Sequence, residues 1–169
     1  MSKMDKDGYY MRLAAVAAMR GTCDRRQVGA VVVAGDRVLS TGFNGAPAGM
    51  PECDSVGHLM ANGHCIRTIH AEANALLEAG ASAIRAALRD KLVPTLYTTT
   101  WPCMWCMKLA INAGIRRIVY GDDYRAPEHH QDEMEYARVA ARECGIKMDR
   151  FSLGDIGFAT SSEGTVVPR

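Results

Sequence analysis

The chain has 169 residues, enough for one compact α/β domain with a real core. Twenty Lys and Arg against nineteen Asp and Glu leave a net charge of +1, with no electrostatic footprint for a polyanion, which argues against DNA or tRNA as the main partner. No stretch approaches the ~18 uninterrupted apolar residues of a membrane span, and the polar residues 1–7 do not read as a signal peptide, so the protein is expected to be soluble, cytoplasmic and not membrane-bound.

Tyr10, Leu13, Ala14, Ala17 and Ala18 recur at helical spacing and predict a first helix ending near Arg20-Gly21. Residues 28–34 and 38–42 are apolar and β-branched, and the Gly35-Asp36 pair between them suits a hairpin. Residues 45–64 hold Gly, Pro, Asn and Asp without a period and read as a long loop, a length that is usually functional or pinned. Helices are predicted over 71–79, 82–88, 103–113 and 133–143, and strands over 96–100, 116–120 and 146–150. Strands alternating with helices after an opening hairpin imply an α/β fold, a mixed sheet between helical layers. Residues 1–153 are expected to form the catalytic domain, and the polar stretch 154–169 a flexible tail.

Six cysteines in a chain without export signals read as metal ligands or buried thiols before they read as disulfides. Cys103 and Cys106 lie at i and i+3 on a predicted first helical turn, which projects both sulfurs to one side and matches two corners of a tetrahedral zinc site. His70, before another helix, supplies a neutral nitrogen. The positive end of a helix dipole and the metal both favour the thiolate over the ordinary thiol, whose pKa is about 8.5. Three protein ligands leave the fourth zinc position for water, whose pKa falls to roughly 7. Glu72, two residues past His70, is placed to move that water's proton. A closed structural zinc site is the competing reading of the cysteine pair, but it has no use for a carboxylate beside its histidine.

His70-Ala71-Glu72 with Pro102-Cys103-Met104-Trp105-Cys106 resembles the signature of the zinc-dependent cytidine and deoxycytidylate deaminases, one the general chemistry of base deamination makes explicit. Gln27-Val28-Gly29-Ala30-Val31, residues 42–49 and Asp123-Tyr124 are similar to the deoxycytidylate branch in particular, and the likeness spans about residues 8–150. The resemblance implies the three-layer cytidine-deaminase fold with a five-stranded sheet. It also implies hydrolysis of dCMP to dUMP and ammonia, with Glu72 shuttling protons to N3 and to the leaving amine. Asn44, the backbone at Ala71, and Tyr124 would contact the nucleotide. Phe43 departs from the Tyr of many relatives and removes a hydroxyl. A homo-oligomer, often a hexamer among relatives, and dCTP or dTTP as effectors are further expectations of the family.

Other readings stand beside these. Arg26, with Arg25 and Arg67, suits a substrate phosphate, though each also suits solvent. Tyr124 also fits a core or rim aromatic, and Asn44 also fits a left-handed turn. Met104, Trp105 and Met107 read as packing on the catalytic helix, and Cys144 as a buried small side chain. Cys23, Cys53 and Cys65, with His58 and His64 nearby, are many for chance packing. Several deoxycytidylate deaminases look similar in carrying a second, structural zinc here. Its expected ligands are Cys23, Cys53, Cys65 and His58, with His64 as competitor, because adjacent residues such as His64 and Cys65 point apart in most backbones. Unmetallated buried thiols are the alternative.

Overall fold

A computed structural model of the protein describes residues 3–61, 64–122, 131–160 and 166–168. Asp5 caps the first helix, α1 (Lys6–Ala18), by accepting the Gly8 N–H at 2.8 Å. An antiparallel hairpin of β1 (Gly29–Ala34) and β2 (Arg37–Phe43) follows. Gly35 takes its turn at φ +61°, in the region that favours glycine. Next come one helical turn, α2 (Cys53–Val56), and two very short strands, β3 (Met60–Ala61) and β4 (His64–Cys65). Then α3 (Ala71–Ala79), α4 (Ala81–Arg89), β5 (Thr95–Thr100), α5 (Met104–Ala113), β6 (Arg117–Asp122), α6 (Gln131–Glu143) and β7 (Lys147–Arg150) follow in turn. A 3-10 turn, Leu153–Ile156, and the hairpin of β8 (Phe158–Thr160) and β9 (Val166–Pro168) close the described chain.

The main sheet has five strands in the order β2-β1-β5-β6-β7, antiparallel at its first two pairs and parallel at the last two. This is the expected mixed sheet. Alternation along the strands sorts the core into two layers: Ala30, Val32, Leu96 and Ile118 face α3, α5 and α6, while Val31, Val33, Tyr97 and Val119 face α1. β1 and β5 are buried at every position, as strands covered on both faces must be.

Two glycines let the helices lie close. A Cβ on Gly29 would run into Ala14 O and Ala18 N of α1, and one on Gly42 into Ala71 O and Ala75 N of α3. The α3 contact is reinforced by Ser40, whose hydroxyl donates to Ala75 O at 2.6 Å, and by Asn74, whose amide donates to Phe43 O at 2.8 Å. On the other layer, Arg117 makes a two-point contact with Asp7 at 2.7 and 2.8 Å and also donates to Asp149 at 2.6 Å, while the Tyr97 hydroxyl donates to Asp7 at 2.8 Å. This cluster joins α1 to β5, β6 and β7.

Three expectations are corrected. The 45–64 loop contains α2 and β3, and β3 pairs with β4, elements too short to leave a period in the sequence. The stretch from 154 onward, expected as a flexible tail, puts Ile156 and Val166 into the α1-side core beside Leu153, and Phe158 packs there too. These few apolar side chains outweigh the polar composition around them. Cys144, expected to be buried, is exposed, because α6 ends at Glu143 and Gly145 turns the chain away at φ +66°.

Candidate active site and second metal cluster

Two helix starts converge on one point. His70 occupies the N-cap position of α3 and Cys103 that of α5, both with extended backbone and neither using its side chain as a cap. The first-turn amides of both helices therefore present their partial positive charge to this point. His70 Nδ1 lies 3.4 Å from Cys103 Sγ and 3.5 Å from Cys106 Sγ, and the ligand atoms of all three residues fall within 4.8 Å of one another. Zinc bonds of about 2.3 Å to sulfur and 2.0–2.1 Å to nitrogen, set at tetrahedral angles, call for an S···N edge of about 3.6 Å. The donor set fits a zinc ion with one position left over.

Glu72 stands in the first turn of α3, 3% exposed, its Oε2 3.7 Å from Cys106 Sγ. Burial pushes its carboxyl up, with His70 pulling the other way. The hydrogen bond from Cys106 and the neighbouring His70 bring the Cys103 thiol down to about 4, while the bond to Cys103 and burial push Cys106 up. The Cys103 thiolate in turn raises His70 to about 9. Metal binding must displace the protons held on His70 and Cys106, so affinity falls as pH drops.

Cys23, Cys53, His58 and Cys65 form a second cluster, their ligand atoms again within 4.8 Å of one another. Cys53 Sγ and Cys65 Sγ are 3.6 Å apart and Cys23 Sγ lies 3.8 Å from His58 Nδ1, close to the edges of about 3.8 and 3.6 Å that tetrahedral zinc requires. His58 Nε2 faces Asp24 Oδ1 at 2.9 Å, the carboxylate arrangement that orients a ligand histidine with Nδ1 toward the metal. Burial pushes the Cys53 thiol up to about 12. The backbone of His64 pairs with Ala61 in the β3–β4 hairpin, and its side chain lies outside the described residues.

The other expected site residues separate. Asn44 is 6% exposed and is spent on the backbone: Oδ1 accepts from Val28 N–H and Nδ2 donates to Arg26 O, both at 2.8 Å. Its φ is not positive, since Lys91 alone among the described non-glycine residues has that conformation, so the left-handed reading of Asn44 is overturned. Ala71 is fully buried at the start of α3. Arg26 is half-buried in the turn held by Asn44. Arg67 donates to Gly57 O and Pro51 O at 3.1 and 3.5 Å, so it braces the loop. Arg25 Nη1 reaches Met60 Sδ at 3.2 Å. Met107 is buried, but Trp105 is 65% exposed and is not core packing on this face. Tyr124 lies outside the described residues.

Sequence reasoning missed Asp24, Ser40, Asn74, Thr22 and Glu52. For Asn74 a signal existed, because Asn in a helix interior competes for backbone partners and needs a reason to be there.

Three metal donors around an open corner, with a buried carboxylate beside them, are the equipment of a zinc-dependent hydrolase. The chain belongs to the cytidine and deoxycytidylate deaminase family: the model of the cytidine and deoxycytidylate deaminase zinc-binding region matches residues 4–122. It is 36% identical over 143 residues to ComE operon protein 2 of Bacillus subtilis, covering 85% of this chain and 73% of that protein. To the deoxycytidylate deaminase of Mycobacterium phage D29 it is 39% identical over 132 residues, covering 71% of this chain and 97% of that one. With the deoxycytidylate deaminase of Saccharomyces cerevisiae the identity is 37% over 145 residues, but the match spans only 44% of the yeast protein. Among solved structures, the cyanophage S-TIM5 dCMP deaminase in complex with dCMP and dUMP superposes with a TM-score of 0.65 at 24% identity, over 88% of this chain and all of that one, and shares the fold.

Proposed function

We infer that the protein hydrolyses dCMP to dUMP and ammonia. The observation that carries this reading is the convergence of His70, Cys103 and Cys106 within 4.8 Å, beside a Glu72 that is 3% exposed. When bound, zinc supplies the Lewis acidity that brings water within reach of ionisation near neutral pH, at a pKa of roughly 7. Glu72, buried and with a raised affinity for its proton, would accept one from the attacking water. It would then donate that proton to ring N3 as the water oxygen bonds to C4, and would carry the remaining proton of the C4 hydroxyl to the amino group, so that the C4–N bond breaks and ammonia leaves as the C4 carbonyl forms. Water adds across the N3=C4 bond and ammonia departs, so the atoms balance without a redox partner. The Ala71 backbone, and whatever hydrogen-bonding capacity Asn44 keeps beyond its bonds to Val28 and Arg26, would contact the nucleotide. Arg26 is the proposed phosphate partner, because a guanidinium suits two-point recognition of a phosphate.

The same reading gives each chain two zinc ions, one catalytic and one structural at Cys23, Cys53, His58 and Cys65. It extends to a homo-oligomer in the cytoplasm, hexameric in form, with dCTP and dTTP as effectors. The exposed Leu77, Trp105 and Leu109, on α3 and the α5 that packs against it, support a partner surface.

Ammonia release from dCMP, deoxycytidine, cytosine and adenosine, with zinc measured on the same sample, tests the reading. Charge-assisted phosphate contacts are left unpaired without the phosphate, so kcat/KM for dCMP should exceed that for deoxycytidine by about 100-fold or more. Equal values would move the protein to nucleosides.

A further inference from the structure

Glu52 immediately precedes Cys53, and Thr22 immediately precedes Cys23, so both stand one residue from a ligand of the second cluster. Their side chains meet: the Thr22 hydroxyl donates to Glu52 Oε2 at 2.5 Å, and the Ala46 N–H donates to the same oxygen at 2.7 Å. Ala46 follows Gly45, which exchanges both of its backbone hydrogen bonds with Ile69 at 3.2 and 2.8 Å. Ile69 in turn precedes His70. The Thr22 N–H donates to Asn44 O at 3.1 Å, which holds the same segment from its other end. Glu52 sits at the N-cap position of α2, yet its carboxylate makes no bond to the α2 amides. Capping does not explain this residue, whereas bridging two segments does.

We propose that Glu52 is a positioning residue that ties the second metal cluster to the segment beside the candidate active site, by holding the Ala46 amide in line with the Gly45–Ile69 bridge. A metal at Cys23 and Cys53 fixes the backbone from which Thr22 and Glu52 reach, and so fixes where the carboxylate meets Ala46. The consequence falls on substrate placement, because Asn44 and Gly45 adjoin Ala46, while Glu72 is carried separately on α3. Only the kinetic part rests on the dCMP reading.

The test compares wild type, Glu52→Ala and Glu52→Gln, each assayed for metal content, amide hydrogen exchange at residues 45–46, and dCMP kinetics. A lost charge-assisted hydrogen bond should speed exchange at Ala46 in Glu52→Ala by about tenfold or more and raise KM by a similar factor, with kcat within about twofold of wild type. Glu52→Gln, whose amide oxygen still accepts from Ala46, should recover most of both. Cys53→Ser should speed the same exchange with Glu52 in place. Wild-type exchange at Ala46 in either Glu52→Ala or Cys53→Ser overturns the proposal, as does a fall in kcat at unchanged KM. If Glu52→Ala fails to fold, the Cys53→Ser exchange decides alone. Fast exchange in both variants, in a protein whose wild type does not turn over dCMP, supports the coupling and overturns the substrate assignment instead.

Discussion

Glu72 is buried beside the three candidate metal donors, and its burial favours the protonated form that a proton carrier must pass through. Glu72→Gln keeps the size and a hydrogen-bonding oxygen but cannot carry the proton. Zinc content and melting temperature should stay at wild-type values while kcat falls by about 10²–10⁴-fold. Turnover within a few-fold of wild type would remove Glu72 from the proton path. At this scale the convergence of His70, Glu72, Cys103 and Cys106 on one candidate site was legible because ligand chemistry ties residue type to spacing: a cysteine pair at i and i+3, and a carboxylate two places after a histidine. Asn44 was legible as important but not for what it does here. Its amide stitches Val28 to Arg26, and such contacts across the chain leave no local trace in the sequence.

The placement of α3 depends on Gly42 as much as on its own residues. Any side chain there meets the backbone of Ala71 and Ala75, which cannot yield as a flexible side chain would. Gly42→Ala should therefore shift α3 outward, costing about 1–3 kcal/mol in urea unfolding, and lower kcat by about 100-fold as His70 and Glu72 move with the helix. Gly29→Ala is the matched comparison, because it pushes on α1 and should cost similar stability while leaving kcat of the folded protein within a few-fold. Equal kcat losses in both variants would show that the α3 position is not what Gly42 protects. The main strands and helices were readable from their apolar periods. Elements as short as β3 and β4 carry no period at all, although β4 holds Cys65, one of the four donors of the cluster of Cys23, Cys53, His58 and Cys65.

Across the whole molecule, Asp7 and Arg117 bring the first helix and three strands to one charged contact. The Arg117 hydrogen bonds hold the Asp7 carboxyl below its ordinary value, with the Tyr97 hydroxyl adding to the effect against burial. A depressed folded pKa means the stabilisation is complete above the unfolded value of about 3.9 and is lost as pH falls through the lower, folded value. Asp7→Asn should therefore cost about 1.5–3 kcal/mol at pH 7, and the gap to wild type should narrow steadily below about pH 4. Urea unfolding of both proteins at pH 7 and pH 3 measures this, and a gap that is constant with pH would show that the contact works through packing alone. The mixed sheet between helices was legible from the order of its strands. The charged contact was not, because its partners are separated by 110 positions and nothing local links them.

The last described strand bears on how the protein can be handled. Val166 is 3% exposed and shares its layer with Tyr10, Val31 and Val33, so the C-terminal hairpin works as a lid on the α1-side core. Shortening the chain before β8 would open a greasy seam along α1 and the sheet, and would invite self-association through the uncovered strands. A fusion partner placed at the amino end, where Met4 and Lys6 are exposed, leaves that seam shut.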